Sequence, residues 1–102
     1  MRRSVYDMNC MKNVPGKNCG HHVAIYTLST CGWCKKLKRL LKALDIEYEY
    51  VDVDLLPKSE KEKIMKEAGK HNPRESFPTL VVDHGKEVIV GFKKDRIREV
   101  LL

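Results

Sequence analysis

The hydrophobic period of this chain changes abruptly at one point. Val23-Ala24-Ile25-Tyr26-Thr27-Leu28 is a short, β-branched, mostly apolar run, and Ser29-Thr30-Cys31-Gly32 breaks it. Directly beyond, Cys34, Leu37, Leu41 and Leu44, joined by Leu40, recur at i, i+3, i+4 spacing, while cations fill the other face. The first pattern suits a strand buried on both faces, the second an amphipathic helix of about three turns ending near Asp45. The hydroxyls of Ser29 and Thr30 are placed to cap that helix. A buried strand feeding a helix at such short range asks for an α/β sheet covered by helices.

The remaining segments fit that frame. Glu47-Tyr48-Glu49-Tyr50-Val51-Asp52-Val53-Asp54 alternates charge with β-formers, as an edge strand does to avoid recruiting other chains. Pro57, then Ser59 with Glu62 as a capping box, opens a second helix towards Gly69, with Ile64, Met65 and Ala68 as its apolar stripe. The loop from His71 to Pro78 is polar apart from its end. Thr79-Leu80-Val81-Val82 and Glu87-Val88-Ile89-Val90 read as strands joined by an Asp83-His84-Gly85 hairpin turn. Gly91 ends the second of them, and Lys93 to Leu102 gives a last helix with Ile97, Val100 and Leu101 inward. The expected order is βαβαββα, a four-stranded mixed sheet flanked by helices. Residues 1–20, with Cys10, Cys19 and a Pro15-Gly16 turn, lack a pattern and read as an irregular extension ahead of one domain spanning 21–102.

Composition narrows the function. The 102 residues carry 20 Lys+Arg against 14 Asp+Glu, a net +6, yet the excess is local. Lys35, Lys36, Lys38, Arg39 and Lys42 cluster, and Asp45, Glu47, Glu49, Asp52 and Asp54 follow. No aromatic residues are interleaved with the basic run as a stacking platform requires, so nucleic acid is not an expected partner. A basic helix of this kind suits a solvated face, or the steering of acidic protein partners. There is no apolar run long enough to span a bilayer and no apolar stretch behind Arg2 and Arg3, so the expectation is a soluble cytoplasmic protein without a secretory signal. In that compartment thiols stay reduced unless they bind metal or do redox work, and four cysteines therefore need a chemical reason.

Cys31-Gly32-Trp33-Cys34 supplies one, because it lies where the strand hands over to the helix. Unpaired amides and the helix dipole at a first turn favour a thiolate at Cys31, and Lys35 and Lys36 add positive potential. Cys34, one turn deeper, is shielded and near enough to close a disulfide. Cys31 would attack a partner disulfide, Cys34 would resolve the mixed intermediate, and Trp33 would offer the partner an apolar surface. Against this stands half of a zinc site, for which the other ligand candidates are Cys10, Cys19, His21 and His22. Cys10 and Cys19 also read as reduced bystanders or as an auxiliary disulfide, and His21 and His22 as ordinary solvent-facing residues.

Residues 22 to 102 resemble a glutaredoxin-like thiol–disulfide oxidoreductase of the thioredoxin superfamily. The resemblance rests on Val23 to Tyr26 leading into Cys31-Gly32-Trp33-Cys34, on Phe77-Pro78-Thr79, and on Gly91-Phe92-Lys93-Lys94-Asp95. It implies a thioredoxin-like fold, a cis bond before Pro78 and a redox-active Cys31–Cys34 disulfide with no other cofactor. The candidate partner-binding set is Gly32, Trp33, Lys35, Phe77, Pro78, Thr79, Gly91 and Phe92. Glutathione-binding members have a lysine at the place of Leu28, a second glycine at Phe92 and an aspartate at Lys94 that holds the glutathione ammonium. A cation at Lys94 repels that group, so glutathione is not the expected reductant. The Gly-Phe-x-x-Asp form is similar to the NrdH-redoxins, electron donors to ribonucleotide reductase. It implies protein disulfide substrates and a protein reductase of the thioredoxin-reductase or ferredoxin-dependent type. The alternative is a glutaredoxin-like module that binds zinc or an iron–sulfur cluster.

Overall fold

The protein is described by a computed structural model, which covers residues 11–74 and 76–102. Its elements are β1 (Lys12–Val14), β2 (Val23–Thr27), α1 (Gly32–Ala43), β3 (Tyr48–Asp52), α2 (Lys58–His71), β4 (Thr79–Val82), β5 (Glu87–Val90) and α3 (Lys94–Leu101). Short 3-10 turns at Val53–Leu55 and Asp83–Gly85 follow β3 and β4. The five strands form one mixed sheet in the order β1-β3-β2-β4-β5. β2 runs parallel to β3, with Thr27 opposite Asp52, and antiparallel to β4, with Tyr26 opposite Thr79.

Why β2 is apolar throughout follows from its central place. Successive side chains leave opposite faces of a sheet, and here both faces are covered. Val23 and Ile25 pack with Leu37, Leu41, Ile97 and Leu101, so α1 and α3 cover one face. Ala24 and Tyr26 pack with Val51, Ile64, Ala68 and Val81 under α2. Truncating one of the large side chains, Leu37→Ala for example, costs about 2–5 kcal/mol. The strand then delivers Thr27, and with it the turn to Cys31, to a fixed point at one end of the sheet.

Three local expectations are corrected. A fifth strand, β1, lies inside the stretch read as irregular; it pairs antiparallel with β3, Val14 opposite Tyr48. Only Val14 of its three residues packs inward, so no periodicity announces it. β3 is consequently flanked on both sides and is not an edge. Its even-numbered residues face α1, where Tyr50 and Asp52 meet Lys38, so part of the apparent solvent-side charge is spent inside the fold. Third, the Ser59–Glu62 capping box is not used: α2 opens at Lys58 behind Pro57, which places Ser59 already inside the helix.

The link from β1 to β2 is clamped against the end of α1. Asp45, at φ 57, reverses the chain, with its amide bonded to the Lys42 carbonyl and that of Ile46 to the Leu41 carbonyl, a Schellman closure. Asn18 donates its backbone amide to the Asp45 carbonyl and accepts from the Glu47 amide. Gly16 lies so near this backbone that a Cβ there would stand 2.7 Å from the Asp45 oxygen and the Glu47 nitrogen. Only a residue without a side chain fits.

Candidate active site

Cys31 is itself the N-cap of α1. Its φ/ψ is extended, and its Sγ accepts the Cys34 backbone amide at 3.2 Å. The sulfur thus takes the role expected of Ser29 or Thr30, satisfying one of the free amides of the first turn. Ser29 is used otherwise: its amide (2.8 Å) and its hydroxyl both donate to the Asp54 carboxylate, which these bonds hold below the usual carboxylate range. Cys31 is partly accessible, whereas Cys34 is fully buried, and both are free thiols. Burial, reinforced by the hydrogen bond with Cys31, pushes the Cys34 thiol up to about 12. At neutral pH it waits as S–H behind the accessible sulfur.

A polar group absent from the sequence reading lies under Cys34. Lys38, one helical turn along α1, sits with its Nζ 3.0 Å from the Asp52 carboxylate and 4.1 Å from the centre of the Tyr50 ring. Thr27 donates its hydroxyl to the same carboxylate oxygen at 2.6 Å and to the Val51 carbonyl at 3.0 Å. The Lys38 charge acts on Cys34 against burial, favouring its ionised form. The signal was present in the i, i+4 spacing of Cys34 and Lys38, but its carboxylate partner comes from another strand.

The third part of the site is the segment before β4. The Phe77–Pro78 peptide bond is cis. Pro78 is buried and its carbonyl accepts the Gly91 amide at 2.8 Å, which ties the end of β5 to this loop. Gly91 has φ +83, a conformation that suits glycine. Phe92 then stacks on Trp33, centroids 5.8 Å apart, so the loop after β5 lies against the first turn of α1. Thr79 is buried, its hydroxyl donated to the Ser76 carbonyl at 2.7 Å and accepting from Asn72 at 3.0 Å. Asn72, 4% exposed, holds the loop: its Nδ2 also donates to the Ser76 carbonyl and hydroxyl at 3.2 Å, and its Oδ1 accepts the Arg74 amide. Sequence reasoning passed over it as one polar loop residue among many.

Cys31, Cys34, Gly32, Trp33, Lys35, Phe77, Pro78, Gly91 and Phe92 are therefore carried to the same end of the sheet. Trp33 stands out at 57% exposure, and the Lys35 amide closes the first turn on the Cys31 carbonyl at 3.1 Å. Thr79 joins them through its backbone, its hydroxyl being consumed within the loop. The candidate metal ligands go elsewhere. His21 lies 2.8 Å from Asp83, and His22 stacks on His84 at 4.1 Å with Glu49 at 3.5 Å, all at the opposite end of β2. Cys19 and His21 line a surface cavity of about 440 Å³ floored by Val23, Ile46 and Leu101. Among the described residues no three His, Cys, Asp or Glu side chains converge on a common metal position. Cys10 lies outside the described residues.

The glutaredoxin family pattern matches residues 23–88, which span β2 through the first half of β5. The chain belongs to the glutaredoxin family. The same conclusion comes from solved structures with the thioredoxin-like fold. Methanoredoxin of Methanosarcina acetivorans is 45% identical, at TM-score 0.80, over 84% of this chain and 88% of that one. A glutaredoxin of Methanosarcina mazei Go1 is 42% identical, at TM-score 0.81, over 91% and 88%. Glutaredoxin 1 of Rickettsia prowazekii is 35% identical over 68 residues, 67% of this chain and 68% of its own. As a glutaredoxin-family thiol oxidoreductase, the chain carries both cysteines of its Cys-x-x-Cys motif at the first turn of α1. No helix among the described residues is long and apolar enough to cross a membrane.

Proposed function

We propose that the protein reduces disulfides in other proteins by dithiol exchange. The observation that carries this reading is the pairing of an accessible sulfur, bonded to a helix N-terminal amide, with a buried one kept protonated directly behind it. The Cys31 thiolate attacks one sulfur of a substrate disulfide; a Cys31–substrate bond forms, the substrate S–S bond breaks and the other substrate sulfur leaves as thiolate. Cys34 then loses its proton and attacks Cys31 Sγ, releasing the second substrate thiol. Two electrons have passed to the substrate, and the protein holds a Cys31–Cys34 disulfide. An external reductant returns the two electrons, with the one proton that Cys34 gave up.

That reductant is a protein reductase, of the thioredoxin-reductase or ferredoxin-dependent type, rather than glutathione, and the branch is that of the NrdH-redoxins, donors to ribonucleotide reductase. Gly91-Phe92-Lys93-Lys94-Asp95 supports this: Phe92 is taken up by Trp33, and Lys94 puts a cation where an ammonium-bearing reductant needs an anion. We place this activity in the cytoplasm, where such a dithiol is returned to its reduced form between turnovers.

Two experiments test the proposal. Cys31→Ser should reduce protein disulfide turnover to background, while Cys34→Ser should still attack and accumulate a mixed disulfide visible by non-reducing electrophoresis. Equal loss of first-step reactivity in both variants overturns the assignment of roles. For the reductant, the oxidised protein is offered either millimolar glutathione with its reductase or a thioredoxin-type reductase. Faster recharging by glutathione removes the NrdH-type branch.

A further inference from the structure

The positive charge around Cys31 is unevenly committed. Lys38 is paired with Asp52, but Lys35, Lys36, Lys93 and Lys94 are exposed, and among the described residues no carboxylate lies within ion-pair distance of any of them. Lys36 instead sits with its Nζ 4.6 Å from the centre of the Trp33 ring, whose other contact is Phe92. Lys93 and Lys94 follow Phe92 directly, at the start of α3. The result is an apolar strip, Trp33 and Phe92, with cations at both ends. The nearby carboxylates do not cancel it: Asp54 is bonded to Ser29 on the β3 side of the site, and Asp95 alone stands in the first turn of α3.

We infer that this Lys36–Trp33–Phe92–Lys93–Lys94 strip is a docking surface for an acidic segment of the partner protein, so that the domain selects disulfides whose cysteines are flanked by Asp or Glu. The inference rests on reading Cys31 and Cys34 as the exchange site, and deepens that reading by naming the class of substrate. Two physical effects act together. Exposed cations beside a reactive sulfur raise the encounter rate with anionic segments, an effect that salt screens. The aromatic pair removes apolar partner surface from water and lowers the local dielectric beneath the lysines, which strengthens each ion pair formed over it. A basic segment meets the same cations as repulsion, so discrimination arises from both signs.

The test uses the full chain, reduced beforehand and mixed in single turnover with three disulfides, so that no reductase is involved. One is the small neutral hydroxyethyl disulfide. The others are two cystine-closed peptides of one sequence, flanked by Asp and Glu in the first and by Lys in the second. The acidic peptide should react about tenfold faster than the basic one at low salt, and the ratio should shrink towards one at 0.5 M salt. The paired substitution Lys36→Glu with Lys94→Glu should invert the ratio. Lys63→Glu with Lys66→Glu, the same charge change on α2, should leave it as in the wild type.

Failure to reduce even the neutral disulfide removes the exchange reading itself. Reduction of the neutral disulfide with an acidic-to-basic ratio near one overturns the docking inference alone. So does a ratio that Lys63→Glu with Lys66→Glu moves as far as the site variant does, since the preference then belongs to net charge and not to this strip.

Discussion

The two ends of β2 treat charge in opposite ways. At the Val23 end, the histidines and carboxylates are engaged with one another within the fold. Asp83 accepts the His22 amide at 2.9 Å and sits 2.8 Å from His21, while His22 lies against Glu49 and His84. On the neighbouring rim Arg96 holds Glu87 and Glu99. At the Thr27 end, the interior charge is paired, Lys38 with Asp52, but the lysines outside it are left over. One end is electrostatically closed, and the other is open to whatever brings anions. Net charge alone could not distinguish these arrangements, because the distribution is created by strand order.

Substitutions that separate the ends test this contrast, and the largest effect is expected at Asn72. Asn72→Ala takes the amide donor from the buried Thr79 hydroxyl, removes the bonds to Ser76 and the Arg74 amide that hold the loop, and should cost about 3 kcal/mol of unfolding free energy in denaturant titration. It should also slow disulfide reduction, because the loop it holds carries Pro78. Next, Lys38→Met leaves the half-buried Asp52 carboxylate with only Thr27, at a cost of about 1–2 kcal/mol. It also removes the cation that opposes burial at Cys34. The mixed disulfide should therefore persist longer, and its resolution should move to more alkaline pH in stopped-flow measurements.

A smaller effect concerns Cys34 itself. Its folded-state value of about 12 lies above the ordinary 9.0, so the protonated thiol favours the fold. That contribution is full below 9.0 and is lost as pH climbs towards 12. In a Cys31→Ser background, which prevents the disulfide, stability should fall more steeply above pH 9.0 than in the same protein carrying Cys34→Ala. The smallest change belongs to the closed end. His21, through its side-chain bond, and the His22 amide hold the Asp83 carboxyl below its ordinary 3.8. Its contribution is present above 3.8 and lost as pH falls through the lowered value. Because the pair is partly exposed, Asp83→Asn should cost less than about 1 kcal/mol at pH 7 and leave the reduction rate unchanged. A large loss of activity there would break the contrast between the ends.

What could be read in the sequence is what depends on neighbours along the chain. The passage from Val23 to Cys34 announces itself because burial of β2, the break and the helix spacing are all local. The Asp83-His84-Gly85 turn, with Asp83 and His84 at positive φ, is local in the same sense. Asn72 and the Lys38–Asp52–Thr27 group were not legible, since each owes its role to a partner that only tertiary packing supplies. Glu47 to Asp54 was misread for a related reason. Its alternation looks solvent-facing until β1 covers one side and Lys38 and His22 take up Asp52 and Glu49. The cap of α1 was missed because two hydroxyls stood where caps are usual, and the sulfur took the position instead.

The close approach of Gly16 to the Asp45–Glu47 backbone reaches beyond geometry. That contact is where the covering strand Lys12–Val14 is fastened, and any side chain at residue 16 pries the two apart. The amides and carbonyls of Tyr48 to Tyr50 would then lie bare, ready to zip onto another copy. The shielding of that strand thus depends on a missing methyl group, on a stretch of chain that touches neither sulfur.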